Sequence, residues 1–304
     1  MAFPRAVSLI VALTAACLTG ACSVQRLAVD RLGDALAASG TQFAADDDPA
    51  LIRDAAPFSL KLMESLLAER PGHAGLALAA ARGFTQYAYA FVQQGADEIE
   101  ATDVGEAFAR RERARRLYLR AQGYGLQALA SAHPSLDTRL RTDPAQALAP
   151  TTQADVPALY WTGAAWAAAI ALSKDDPDAV ADLPLVGAMM DRALALDPAF
   201  DDGALHTFMI TFSMARAGEA APAATARRHF DAAVALSQGR QAGPYLALAE
   251  AVSVSEQNRA EFLALLDTAL AIDADATPAH RLANLILQRR ARWLQGRVDE
   301  LFLE

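Results

Sequence analysis

Apolar residues in this chain recur at helical spacing over long stretches, and Gly or Pro marks the places where the pattern stops. One stretch reads differently. In YAYAF, residues 87–91, an aromatic stands at every second position: Tyr87, Tyr89 and Phe91. Such alternation alone describes a strand, whose side chains point to alternate faces. Its setting argues against that, because the surrounding segment is rich in Ala, Leu and Gln and closes on Gly95. Wound as a helix, Phe84, Tyr87 and Phe91 fall within about 60° of one another. They form a stripe for the core, while Tyr89 projects to the opposite side, toward a second neighbour or a cavity.

The same punctuation predicts a series of hairpins. ALALD at 193–197, AVALS at 233–237 and ALAID at 269–273 rhyme, and their starts lie 40 and 36 residues apart. That spacing is close to the period of tetratricopeptide-type helix pairs. SLLAERP, ending at Pro71, and ALASAHP, ending at Pro134, are looser echoes upstream. Helices near 24–38 and 50–69 open the chain after its leader. One near 74–94 pairs with a long one from about 105 to 132, and 156–173 pairs with 183–196. Helix 203–217 follows Asp201-Asp202 as N-cap residues and stops at Gly218; Pro222 opens the next, which ends at Gly239. Helices near 244–256 and 259–272, the latter capped by Asn258, precede a last helix at 278–295 stopped by Gly296. The fold predicted is all-α: a TPR-like α-solenoid of antiparallel helix hairpins, one domain over residues 22–304.

Composition agrees. The 304 residues are 53% hydrophobic, enough for a substantial core, and much of that is Ala, a strong helix former. A net charge of −9 argues against nucleic acid as a partner, since phosphate binding needs a basic surface. The five His, at 73, 133, 206, 229 and 280, include no pair at a helical metal spacing, and no metal or cofactor is expected.

The first residues, MAFPRAVSLIVALTAACLTGACS, read as a signal peptide over 1–21: Arg5, a short apolar run, then small residues before Cys22. The end resembles a bacterial lipobox with Cys22 as the lipid-bearing residue. Leu18 stands one place too far upstream, and Cys17 is a second candidate acceptor. No cysteine follows Cys22, so its acylation would leave the mature fold without a thiol or a disulfide. Ser23 after the cysteine disfavours retention at the inner membrane, which places the protein in the periplasm, lipid-anchored, on the outer-membrane side.

Catalytic motifs are missing: there is no phosphate-binding loop, dinucleotide fingerprint, zincin helix or nucleophile elbow. DDDP at 46–49 and DDG at 201–203 read better as helix caps than as cation sites. RRERARR at 110–116 and QRRARW at 288–293 read as solvated helix faces rather than headgroup sites. The aromatics say more. Tyr160, Trp161 and Trp166 sit in a helix otherwise made of small residues, where large rings need recesses. With Phe84, Tyr87, Tyr89 and Phe91 they are the candidates for contact with a ligand or another subunit.

Together these stretches carry a family resemblance. FAADDDPALIRDAAPFSLKLMESLLAERPGH, FTQYAYAFVQ, ARRLYLRAQGYGLQAL, DVPALYWTGAAWAAAIALSKDDPDAVADLP, RALALDPAFDDGALHTF and LANLILQRRARWL, in that order, resemble the T-component family of tripartite ATP-independent periplasmic (TRAP) transporters. The resemblance implies a non-catalytic periplasmic lipoprotein of TPR-like helix pairs, assembled as a homotrimer. It also implies association with the transporter's solute-binding P-component and a hydrophobic or organic-acid ligand. A general TPR-type scaffold of the bacterial envelope, binding proteins and no small molecule, is the alternative. A carboxylate-based hydrolase or lyase is a third and weaker reading.

Overall fold

The computed structural model describes residues 30–36, 38 and 40–303, and among them every regular element is helical. The leader, with Cys17 and Cys22, and the start of the helix expected at 24–38 lie outside the described residues.

A short helix at Gly40–Ala44 precedes α1 (Pro49–Glu69), whose N-terminus is set by DDDP: the Asp48 carboxylate accepts from the amides of Ala50 and Leu51 at 2.9 and 3.0 Å. α2 (Ala74–Tyr87) runs without a break into a π-helical segment, Ala88–Gln93, and a last α-helical turn, Gln94–Ile99. α3 (Val104–Ala130) returns antiparallel to it and packs on its far side against α4 (Val156–Ala171), which in turn packs against α5 (Leu183–Leu196). Small residues make that close packing fit. A Cβ on Gly125 of α3 would lie 2.1 Å from Thr162 Oγ1 and 3.1 Å from Thr162 Cα on α4.

The second half repeats the pattern. α6 (Phe200–Ala215) pairs with α7 (Pro222–Ser237); α8 (Gly243–Leu248), extended by a second π-helical segment at Ala249–Ser253, pairs with α9 (Arg259–Ala271). α10 (Arg281–Gln295) packs on α9 and also reaches the Gly40–Ala44 helix and α1. The Asn258 carboxamide accepts from the Glu261 amide at 3.1 Å, and Pro222 opens α7, as the sequence signals require.

Among the described residues two large hydrophobic cores result, with a small third cluster of Ala88, Val92, Ala114, Tyr118 and Ala169. One runs from α1 to α6, centred on Leu76, Leu159, Met189 and Met190; the other lies among α6 to α10, centred on Phe262 and Leu266. α6 serves both, presenting Leu205, Met209 and Phe212 to the first and Ile210 to the second.

Candidate functional site

Where α10 meets the first hairpin, the fold encloses a cavity of about 350 Å³. That is within the range of roughly 300–1,000 Å³ of small-ligand sites. α1 supplies Ile52, Leu60 and Met63, α10 supplies Leu282, Ile286 and Leu287, and the π-helical end of α2 adds aromatic rings. Apart from the phenols of Tyr87 and Tyr89, polar groups are few: Ser59 of α1, Arg82 and Gln86 of α2, Tyr160 of α4, Asp201 and Thr207 of α6, and Gln241 and His280.

The sequence candidates divide between this wall and the core. Tyr87, Tyr89, Phe91 and Tyr160 line the cavity. Phe84 and Trp166 do not: they are 3% and 4% exposed in the first core, Phe84 stacked on Tyr124 at 5.9 Å and Trp166 beneath the Arg141 guanidinium at 5.5 Å. Trp161 stands behind the wall, its ring edge-on to Tyr160 at 5.0 Å and under Arg82 at 5.7 Å.

This corrects the expected division of the aromatics. Tyr89 was to project away from a stripe of Phe84, Tyr87 and Phe91, toward a neighbour or a cavity; it lines the cavity, but so do Phe91 and Tyr87, Tyr87 also packing against the core that holds Phe84. A π-helical turn lies among these rings. An i→i+5 turn holds one more residue than an α-turn, so it shifts the register between the residues before and after it. Tyr87 and Phe91 touch at 5.7 Å across this wider turn.

The cavity wall perturbs its phenols. Tyr89 exposes 38% of its surface, but that surface is cavity wall, and withdrawal from bulk water pushes its pKa up to about 12. Glu250 adds to the rise and Arg290 opposes it. Tyr160 is raised further, by burial first and then by the Asp201 carboxylate, with Arg82 acting against both.

Asp201-Asp202-Gly203, expected to cap a helix, does something else. All three residues are left-handed, at φ 48°, 52° and 96°, and the α-helix proper begins after them. Consecutive non-glycine residues there cost of the order of 1–3 kcal/mol each and persist only where the surroundings hold them. Two contacts do so. His280 Nε2 donates to the Asp202 carboxylate at 2.9 Å, with the Gln241 amide 3.3 Å from the same nitrogen, and Gly203 lies against Ala233, whose Cα would be 3.1 Å from any Cβ. The Asp201 carboxylate is left facing the cavity and solvent with no hydrogen bond or ion pair among the described residues.

Both Arg-rich stretches keep exposed arginines, Arg113, Arg116 and Arg292 among them, but some of their members are drawn into ion pairs. Arg111 pairs with Asp97 at 2.9 Å and Glu100 at 2.6 Å. On α10, Arg289 pairs with Glu98, while Arg290, 13% exposed, reaches Asp97 and Glu250 at 2.8 Å each and lies 4.4 Å over the Trp293 ring. These contacts tie α10 to the end of the α2 segment beside Tyr89.

Against known families, the chain matches the one described as TRAP transporter T-component over residues 45–302. It belongs to that family. An uncharacterized protein of Treponema pallidum (strain Nichols) is 34% identical over 319 aligned positions, spanning 95% of this chain and 96% of the relative. Membership makes this T-component an accessory part of a TRAP transporter. Among the described residues, no helix is long and apolar enough to cross a membrane, and no group of three His, Cys, Asp or Glu is placed to hold a metal. Folding does join two histidines that sequence spacing kept apart: His206 and His229 approach Nδ1 to Nδ1 at 2.9 Å.

Proposed function

We propose that this T-component is a non-catalytic subunit that holds a small apolar or organic-acid ligand and docks the solute-binding P-component of its transporter. The observation that carries the ligand half is the cavity, an apolar, aromatic-rimmed space with a handful of convergent polar groups. Tyr87, Tyr89, Phe91 and Tyr160 are its ligand contacts in this reading, while Phe84, Trp161 and Trp166 support the wall from behind. The partner half rests on family membership. The leader supports a periplasmic lipoprotein anchored through Cys22 toward the outer membrane, and the family resemblance supports a homotrimer.

The test is a calorimetric titration of the protein with the solute-binding protein of the same transporter. A saturable complex supports the reading, and no binding with either partner in excess refutes the docking half. The anchor has its own check. Cys22→Ala should abolish lipid labelling and release the protein to the soluble periplasmic fraction; labelling lost instead in Cys17→Ala would reassign the acceptor.

A further inference from the structure

The cavity wall carries one cation and one anion that do not satisfy each other. Arg82 makes no ion pair among the described residues, and its Nε is buried without a hydrogen-bond partner. Its guanidinium is held from behind by the Trp161 ring at 5.7 Å. Asp201, whose carboxylate has no hydrogen bond or ion pair among the described residues, lines the same cavity from a left-handed backbone that the Asp202–His280 hydrogen bond helps to fix. The two form no ion pair with each other, and both line the cavity beside Tyr160: Arg82 lies over Trp161, whose ring meets Tyr160 at 5.0 Å, and Asp201 follows Phe200, whose ring meets Tyr160 at 5.4 Å. The rest of the lining is largely aliphatic and aromatic.

Such a wall selects by charge. A ligand bearing only a carboxylate would satisfy Arg82 but enter the repulsive field of Asp201. A ligand bearing only an ammonium would meet the converse penalty, and a neutral one would cover both charges and pair neither. Only a molecule with both charges close together and an apolar remainder meets all three features. Resting on the ligand-binding reading above, we infer that the cavity takes an apolar α-amino acid, its carboxylate on Arg82, its ammonium on Asp201 against the Tyr160 ring, and its side chain among the aliphatic residues of α1 and α10. The flat face of Tyr160 favours the ammonium, as aromatic faces do.

The test is isothermal titration of the full-length protein with four probes of matched shape: L-leucine, L-phenylalanine, 4-methylpentanoate, which lacks the ammonium, and 3-methylbutylamine, which lacks the carboxylate. At least one amino acid should bind, and at least tenfold more tightly than either singly charged analogue. Asp201→Asn should erase the advantage of leucine over 4-methylpentanoate, and Arg82→Gln its advantage over the amine. Asp201→Asn keeps the size of the side chain and Arg82→Gln shortens it, and an unchanged melting temperature separates lost recognition from lost folding. The inference is overturned if 4-methylpentanoate binds wild-type protein as tightly as leucine, which would leave the organic-acid reading intact. It is also overturned if leucine binding ignores Asp201→Asn. It fails as well if no probe binds, and a small molecule retained by the purified protein would then show that the cavity serves a different ligand class.

Discussion

Tyr89 and Phe84 stand five positions apart in one continuous helical segment and have opposite fates. Phe84 is core, so Phe84→Ala should cost about 3–5 kcal/mol in chemical denaturation. Tyr89 meets open cavity, so Tyr89→Ala should cost distinctly less while weakening whatever the cavity binds. Its phenol gives a second handle. The folded pKa of about 12 lies above the unfolded value near 10, so the folded state keeps a proton that the unfolded state has lost. This contribution to stability is therefore complete below pH 10 and disappears as the pH rises toward 12. Comparing wild type with Tyr89→Phe by tyrosinate difference absorbance should show the missing phenol at the late, alkaline end of the titration. A missing phenol near pH 10 would mean that the ring is in bulk water. The sequence marked Tyr87, Tyr89, Phe91 and Tyr160 as aromatics needing an explanation, but gave no sign of Arg82 and read Asp201 as a cap. Arg82 acquires its meaning from Trp161, on a different helix, and from the absence of an acidic neighbour at bonding distance among the described residues. Neither relation is local in the chain.

At the scale of the element, the hairpins were legible because Pro, Gly and Asx residues punctuate them, as Pro222, Asn258 and Asp48 illustrate. The π-helix at Ala88–Gln93 was not, because a uniform angular step per residue cannot register one extra residue in a turn. That extra residue sets the register between Tyr87 and the residues that follow it. Deleting Ala90 should let the segment close as a regular α-helix. The variant should keep a strongly helical circular dichroism spectrum but lose ligand binding, whereas retained binding would detach the site from the π-turn. The crossing of α3 and α4 makes a simpler demand. With Thr162 Cα 3.1 Å from the place of a new Cβ, Gly125→Ala should destabilise the protein by about 1–3 kcal/mol in a denaturant titration, since backbone cannot swing aside as a side-chain tip can.

Across the whole molecule, α10 joins the last hairpin to the first, and the cavity exists because it does. Arg290 is the clearest tie, a largely buried guanidinium shared by Asp97 and Glu250. Burial works against its charge, but the two carboxylates outweigh that and hold its pKa above the ordinary arginine value. Removing one partner of a buried ion pair leaves uncompensated charge, so Arg290→Met should cost about 3–5 kcal/mol, measurable by denaturation, and should open the cavity. The solenoid reading predicted neighbours in sequence packed as neighbours in space; contact between the two ends belongs to no hairpin and leaves no periodic trace. The Arg-rich QRRARW stretch was for that reason read as solvent-facing.

The central claim is that this cavity holds a small organic molecule, and native mass spectrometry of the purified protein tests it most directly. The account predicts a species heavier than the chain by one small-molecule mass per subunit, present in wild type and Phe84→Leu and lost in Arg82→Gln and Tyr89→Ala. A wild-type spectrum that stays at the mass of the chain alone after saturation with every candidate acid and amino acid would contradict it. So would an adduct that both cavity variants retain.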